Sequence, residues 1–206
     1  ADVYYRDLSQ VHLSELAAIL SSDLSDESLR VAFQNTSRQT IDSALNAVSA
    51  DGSNYLNWMA LARAYQALIP FGLQEGYTNA LEAYDRALVL NPQNPAIFLN
   101  LARLELASSD TSKAKSHIAQ ALQLKGNYTE AIFLLSQIQA EEGNLDQAIE
   151  STQAASVISP NDIGIFFQLG MLKYQNKDYS GAIAAFERAI ELNQFYANAM
   201  YFLGLS

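Results

Sequence analysis

The chain has 206 residues, half of them hydrophobic, and its formal net charge at neutral pH is −10. This acidic balance argues against nucleic acids and anionic membranes as partners, because both attract clustered lysine and arginine. A basic protein partner is mildly favoured. The chain contains no cysteine, which excludes disulfides and thiol chemistry.

The sequence shows no segment for crossing a membrane. No apolar run approaches the roughly 18 residues that a membrane-spanning helix needs. The residues from Ala1 onward also lack the basic and then apolar layout of a secretory signal. We therefore expect no direct membrane insertion of this segment. The composition leaves the compartment open between the cytoplasm and the cell envelope or extracellular space.

Residues 1–54 are predicted to form a helical hairpin. Apolar residues at helical spacing indicate two amphipathic helices, and a run of turn formers and N-cap residues at 21–28 separates them. The first stripe comprises Val3, Leu8, Val11, Leu16, Ile19 and Leu20, and the second comprises Leu29, Phe33, Ile41, Ala44, Leu45 and Val48. The second helix resembles a degenerate repeat of the segment that follows it.

Residues 55–94 carry an insertion at about 68–75, with the sequence Leu-Ile-Pro-Phe-Gly-Leu-Gln-Glu. Connecting loops are usually polar, so this apolar loop needs burial. We expect Ile69, Phe71 and Leu73 to fold back on the amino-terminal hairpin. The alternative is an exposed contact patch.

From residue 80 onward, small and large residues recur at intervals of 34 residues. The ladders are Ala80, Ala114, Ala148 and Ala182; Ala87, Ala121, Ala155 and Ala189; Leu101, Leu135, Leu169 and Leu203; and, directly after these leucines, Ala102, Ser136, Gly170 and Gly204. A period near 34 indicates stacked helix pairs rather than one closed core. The small residue lets neighbouring helices approach where a longer side chain would cost roughly 1–3 kcal/mol of strain.

This pattern resembles the tetratricopeptide repeat family, whose signature combines an aromatic residue, Leu-Gly or Leu-Ala, a tyrosine, two spaced alanines and a closing proline. The best match, residues 163–196, contains Phe166, Leu169, Gly170, Tyr174, Asp178, Tyr179, Ala182, Phe186 and Ala189. Glu105, Gln139 and Lys173 replace the usual tyrosine in individual repeats. The resemblance implies an all-α, right-handed superhelical solenoid of antiparallel helix pairs.

The resemblance also predicts the boundaries of the repeats. After the hairpin of residues 1–54, repeats are expected at 55–94, 95–128, 129–162 and 163–196, and residues 197–206 would begin a further, incomplete repeat. Solenoids normally end in an atypical repeat with a solvated outer face. We therefore expect either a piece of a longer protein or a cover over this end. A head-to-tail contact between copies would use Met200, Phe202, Leu203 and Leu205, and would grow into a filament if it did not close.

The sequence offers few candidates for catalysis. His12 and His117 are its only histidines, neither has a partner at metal-ligand spacing, and the glycines form no phosphate-binding loop. We expect no enzyme, no metal site and no cofactor. Asn35 and Asn127 begin glycosylation sequons, which we interpret as chance matches.

The family resemblance implies that the first helix of each pair lines a concave groove. Positions two before each leucine are Met59, Leu99, Phe133, Phe167 and Tyr201, and positions two after are Arg63, Arg103, Gln137, Met171 and Leu205. Asn100 and Gln168, one residue before a leucine, are placed to hydrogen-bond an extended peptide. This groove would begin cationic and end apolar, which suits a partner with a carboxylate end and a hydrophobic stretch. The alternative is that Met59, Leu99, Phe133 and Phe167 pack between neighbouring helices.

Three functions follow from these features. The preferred one is a non-catalytic scaffold that binds a protein or peptide segment in the groove. The second is a structural subunit that assembles end to end into oligomers or filaments. The third rests on a further resemblance, because residues 127–138 and 196–206 are similar to repeat regions appended to O-antigen ligase-type envelope proteins. That resemblance implies an accessory module of a bacterial polysaccharide polymerase or ligase.

Overall fold

The computed structural model describes residues 1–21 and 27–205, and within that part every regular element is helical. The α-helices are α1 (Asp2–Leu20), α2 (Glu27–Ala50), α3 (Tyr55–Leu68), α4 (Gly76–Leu90), α5 (Pro95–Ala107), α6 (Thr111–Leu124), α7 (Thr129–Glu141), α8 (Leu145–Ile158), α9 (Ile163–Gln175), α10 (Tyr179–Leu192) and α11 (Ala197–Leu203). The all-α prediction is confirmed. Most of the predicted turn at 21–28 lies outside the described residues. None of the described helices combines the length and apolarity needed to cross a membrane.

The chain divides into two compact units, which we call the amino-terminal unit (Ala1–His117) and the carboxy-terminal unit (Ile118–Ser206). In the amino-terminal unit, α1 packs against α2, and α3 packs against α1, α2 and α4. In the carboxy-terminal unit, α8 packs against α7 and α9, and α10 packs against α9 and α11. Helices that follow each other therefore pair within each unit, as the repeat pattern predicts.

Side-chain acceptors fix where several first helices begin. The Oδ1 atoms of Asn54 and Asn94 accept hydrogen bonds from the backbone N–H groups of Leu56 and Ala96 at 3.1 and 2.9 Å. Pro95 follows Asn94 at the first helical position, where its fixed φ suits a helix start. Asp162 caps α9 in a similar way. These residues fix the position at which each connecting loop ends and the next helix pair begins.

The two alanine ladders are buried in the described structure. Ala80, Ala114, Ala148, Ala182, Ala87, Ala121, Ala155 and Ala189 are each 0% exposed. The small residue after the leucine has a more specific role at Gly170, because a Cβ atom there would collide with the ring of Phe186. Phe186 is itself 0% exposed. The space beside Gly170 is thus taken by an aromatic ring from the second helix of the same pair.

The predicted stripe of α1 is partly wrong. Val3 and Val11 are 50% and 51% exposed, whereas Ser9 and Leu16 are buried. A helix turns by about 100° per residue, so Val11 lies far around the helix from Ser9. The Ser9 hydroxyl donates to the Thr40 carbonyl of α2 at 3.0 Å. The hairpin interface therefore uses small and polar side chains where the sequence pattern suggested valines.

The interface of α2 shows the same preference for small residues. Its buried positions are Thr36, Thr40, Ser43, Ala44 and Ala47. Ser43 also lies 3.3 Å from Nδ1 of His12, which accounts for that histidine as a packing residue of the hairpin. Leu45, which the sequence placed in the apolar stripe, is 40% exposed.

Of the insertion residues expected to fold back on the amino-terminal hairpin, Phe71 contacts it. The insertion after α3 forms a short 3₁₀ helix, Ile69–Phe71, followed by Gly72 with a φ of 77°. The ring of Phe71 meets the ring of Phe33 edge to face, with centroids 5.1 Å apart. Ile69 packs against the core that α3 and α4 share. Phe71 nevertheless stays 45% exposed, so the contact shields only one side of its ring.

Candidate functional site

The amino-terminal unit contains a cavity of about 340 Å³ between α1, α3 and α5. We call it the Arg63 pocket. Its lining residues are Gln10, Leu13, Arg63, Gln66, Ala67 and Asn100. The structure thus brings together Arg63 and Asn100, two residues that the sequence predicts to contact a partner in the groove. Gln10 and Leu13 were missed because α1 was interpreted as a cap, although it packs on α3.

Hydrogen bonds fix the neutral polar groups around Arg63. The Tyr84 hydroxyl donates to Oε1 of Gln66 at 2.8 Å, and Nδ2 of Asn100 donates to the carbonyl of Ala96 at 2.9 Å. In contrast, Nε of Arg63 is buried and has no hydrogen-bond partner. Over residues 1–21 and 27–205, neither Arg63 nor Arg103 forms an ion pair with a carboxylate.

The electrostatics of Tyr84 place two positive charges in this neighbourhood. Burial raises the pKa of Tyr84, and the charges of Arg63 and Arg103 act in the opposite direction. Arg103 is exposed and Arg63 is half-buried. Two guanidinium groups act on the same tyrosine, and neither forms an ion pair within the described residues, so the Arg63 pocket is suited to an anion.

The carboxy-terminal unit contains a second cavity of about 410 Å³, which we call the Phe167 groove. It is lined by Phe133, Gln137, Ala140, Glu141, Gly164, Phe167, Gln168, Met171, Leu172, Gln175 and Tyr196. Phe133, Gln137, Phe167, Gln168 and Met171 were selected from the sequence, and the structure places them together. The groove combines aromatic and apolar walls with several amide groups and one carboxylate.

Aromatic contacts hold the floor of the Phe167 groove. The Phe167 ring centroid lies 5.9 Å from that of Phe186, 5.3 Å from that of Tyr196 and 6.0 Å from that of Phe202. Gln168 donates from Nε2 to the Ser136 hydroxyl at 3.0 Å, which fixes its side chain. Tyr196 was missed because it lies in the loop before α11, where the helical spacing gives no signal.

Other predicted contact residues are placed differently. Met59 and Leu99 are 6% and 2% exposed, so the packing alternative holds for both. Tyr201 is 65% exposed and does not line the Phe167 groove. Phe202 and Leu203 are partly buried and pack against the cluster around Phe186, so they offer less surface for the predicted end-to-end contact.

Met200 and Leu205 are 53% and 50% exposed, so both offer surface for an end-to-end contact. For metal binding, the described residues contain no group of three histidine, aspartate or glutamate side chains arranged to hold an ion.

Helix pairs repeated along the chain define the class of α-helical repeat proteins. Models of the tetratricopeptide repeat match residues 72–114, 105–169 and 164–196. Together these matches run from residue 72 to residue 196. The chain belongs to the tetratricopeptide repeat family, as the spacing of its alanines and leucines predicts.

Curated relatives and a solved structure agree with this family. Anaphase-promoting complex subunit 3 of Schizosaccharomyces pombe is 26% identical over 138 residues, which is 67% of this chain and 20% of that protein. The BBSome complex member BBS4 homolog of Drosophila melanogaster is 19% identical over 195 residues, 94% of this chain and 38% of that protein. The chain thus spans between about a fifth and two fifths of the length of these relatives.

Among solved structures, the crystal structure of YrrB, described as a TPR protein with an unusual peptide-binding site, superposes with a TM-score of 0.57. That comparison covers 90% of this chain and 96% of YrrB at 19% identity. At this identity the likeness concerns the fold. The fold is that of a protein-interaction scaffold.

Proposed function

We propose that this chain is a non-catalytic scaffold that binds segments of a protein partner through the Arg63 pocket and the Phe167 groove. An acidic side chain or a terminal carboxylate enters the Arg63 pocket. Large apolar side chains enter the Phe167 groove, where amide groups flank the aromatic walls. Each unit therefore contributes one site, and the two sites differ in the chemistry that they select.

The observation that carries this proposal is the buried Nε–H of the Arg63 guanidinium, which has no hydrogen-bond partner in the described residues. A buried donor without an acceptor costs about 1–3 kcal/mol, and more when the group is charged. A carboxylate recovers that cost, because its two oxygens match the forked donors of a guanidinium.

The names of similar proteins support the same class of function. Two relatives are named as members of protein complexes, and YrrB is described by a peptide-binding site. For this chain, those names suggest a protein partner. The choice of acidic and apolar segments comes from the residues of the two cavities.

The test is a selection from a library of random 12-residue peptides, followed by affinity measurement with fluorescein-labelled peptides. We expect enrichment of sequences that carry glutamate or aspartate together with leucine or aromatic residues. The double variant Arg63→Glu, Arg103→Glu should bind the acidic peptides at least tenfold more weakly. Arg86→Glu, at an exposed position of α4, is the matched control and should bind them unchanged.

Two results would contradict the proposal. One is a selection that enriches no acidic peptide. The other is equal binding of the selected peptides by the double variant and by the parent chain. Circular dichroism melting of all variants separates a loss of binding from a loss of folding.

End-to-end assembly is a second candidate, supported by the exposed apolar side chains of Met200, Tyr201 and Leu205 on and after α11. Sedimentation velocity tests it, and a sedimentation coefficient that stays constant as concentration rises would exclude assembly in solution. The role as an accessory module of an envelope polysaccharide enzyme rests on the sequence resemblance alone.

A further inference from the structure

A third cavity in the amino-terminal unit is lined by residues that neither of the proposed sites uses. It measures about 180 Å³ and is formed by Trp58, Leu61 and Tyr65 of α3 with Asn79, Glu82 and Ala83 of α4. We call it the Trp58 pocket. Its walls combine two aromatic side chains, one carboxylate and one amide. Ligand pockets for small molecules usually measure about 300–1,000 Å³, so this cavity suits a single side chain better.

Two carboxylates make the surroundings of the Tyr65 ring negatively charged. Burial raises the pKa of Tyr65, and the charges of Asp42 on α2 and Glu82 on α4 raise it further. Both carboxylates are exposed, and across the described residues neither one forms an ion pair. Neither Trp58 nor Tyr65 has a cation of this chain over its ring in that part of the structure.

The equivalent position in other repeats is satisfied from within the chain. Tyr65 corresponds to Glu105 in residues 95–128 and to Lys173 in residues 163–196. Glu105 accepts hydrogen bonds from the Tyr77 hydroxyl at 3.1 and 3.0 Å. The ammonium of Lys173 lies 3.4 Å from a carboxylate oxygen of Asp178. At Tyr65, by contrast, acidic groups meet aromatic rings and no cation of the described chain joins them.

We propose that the Trp58 pocket binds the ammonium group of a lysine side chain on a partner protein. Tryptophan and tyrosine rings attract a cation through their π faces, by about 0.5–2 kcal/mol depending on solvation. Glu82 and the Asn79 carbonyl supply acceptors for the three donors of an ammonium, and Asp42 adds to the negative potential. This site is separate from the Arg63 pocket and does not depend on the proposed function.

The chain supplies its own reporter, since Trp58 is its single tryptophan. The experiment titrates the protein with acetyl-Gly-Lys-Gly-amide and follows the fluorescence of Trp58. The matched ligand is the same peptide with an acetylated lysine side chain, which keeps the stem and loses the charge. We expect a saturable change with the lysine peptide and at least tenfold weaker binding of the acetylated peptide.

Variants locate the binding to the pocket. Glu82→Gln should weaken binding of the lysine peptide at least tenfold, and raising the salt concentration should weaken it in the parent chain. Glu150→Gln is the control, because Glu150 occupies the equivalent position two repeats later, where Ile132 and Gln139 replace the two aromatic residues. Both glutamates are exposed, so both variants should keep the parent melting temperature.

Three outcomes would overturn the inference. The first is an equal response of Trp58 to the lysine and acetyl-lysine peptides. The second is unchanged binding by Glu82→Gln. The third is a fluorescence change that follows protein concentration without peptide, since that would assign the pocket to a second copy of the chain. None of these results bears on peptide binding at Arg63, which the double arginine variant tests separately.

Discussion

The amino-terminal hairpin and the cluster around Phe186 are two different ways of holding helices together. The hairpin buries Ser9, Thr40, Ser43 and Ala44 beside one large apolar side chain, Leu16, so most of its buried side chains are small or polar. The cluster between α9, α10 and α11 buries aromatic rings, including Phe186 at 0% exposure. A buried aromatic side chain removes roughly 150–250 Å² from water. The repeat pattern thus tolerates both solutions, and they should differ in stability.

This difference predicts where the molecule opens first. Regions with few buried apolar contacts open locally at lower free energy than the rest of a protein. The hairpin combines the burial of Leu16 and of small side chains with hydrogen bonds such as Ser9 to Thr40, whose net contribution is about 0.5–1.5 kcal/mol each. The aromatic cluster holds its helices by burial of large rings. We expect hydrogen exchange to be faster in α1 than in α10.

The largest effect is expected for Phe186→Ala. Removing a buried phenylalanine costs about 3–5 kcal/mol, because the transfer free energy is lost and a cavity is left beside Gly170. Urea unfolding measures this change as a lowered midpoint. The control is Phe195→Ala, since Phe195 is 90% exposed and its removal should leave the midpoint within the experimental error. Equal midpoints for the two variants would contradict the assigned role of the cluster.

A smaller effect is expected for Ser9→Ala in the hairpin. The variant removes the hydrogen bond from the Ser9 hydroxyl to the Thr40 carbonyl and should cost about 0.5–1.5 kcal/mol. The change should appear as faster hydrogen exchange in α1, with exchange in α10 unaffected. Ser14→Ala is the control, because its hydroxyl is exposed and bonds only to the Gln10 carbonyl of the same helix. Equally fast hydrogen exchange in α1 of both variants would contradict the claim that the hydrogen bond between Ser9 and Thr40 stabilises the hairpin.

The smallest effect is expected for the stability of the fold at low pH. Asp178 accepts hydrogen bonds from the Gly181 N–H, the Ser180 hydroxyl and Lys173, and these lower its pKa below the ordinary value of 3.8. A lowered pKa means that the ionised form stabilises the fold. That contribution is complete above the unfolded pKa and is lost as the pH falls through the folded pKa.

The melting temperature is measured at pH 7, at pH 3 and at lower pH. Asp178→Asn should lose less stability in acid than the parent chain, because asparagine keeps an acceptor for Gly181 and does not titrate. Asp85→Asn, at an exposed position of α4, should follow the parent. An acid response of Asp178→Asn identical to that of the parent would show that this cap does not contribute.

Much of the fold could be predicted from the sequence because repetition multiplies a weak signal. One alanine at a helix interface says little, but Ala114, Ala148 and Ala182 in phase indicate a seam, and all are buried. The hairpin has no such repetition. A single stripe of valines and leucines indicated a helix there and included the buried Leu16, but it also included the exposed Val3 and Val11 and missed Ser9, which gives no hydrophobic signal.

The candidate sites were predictable only in part. Helical spacing selected Arg63 and Phe167, since both project from first helices at fixed offsets from a leucine. It did not separate exposed side chains from packed ones, so Met59 and Leu99 were selected although both are buried. It also missed Tyr196 and Gln10, which reach their cavities from a loop and from α1. The Trp58 pocket depends on charges from α2 and α4, and only tertiary structure brings these together.

Glu105 shows how a departure from the family pattern can protect the order of the copies. Glu105 is 2% exposed, and its carboxylate accepts a hydrogen bond from Tyr77, which follows the insertion. The positions equivalent to Tyr77 in the later repeats are Thr111, Leu145 and Tyr179, at the starts of the second helices. If the copy that begins its second helix with Thr111 or Leu145 stood before Glu105, this carboxylate would be enclosed without a phenol, at a cost of several kcal/mol. Near-identical modules are prone to such shuffling. The buried carboxylate of Glu105 therefore favours one order of the repeats over others.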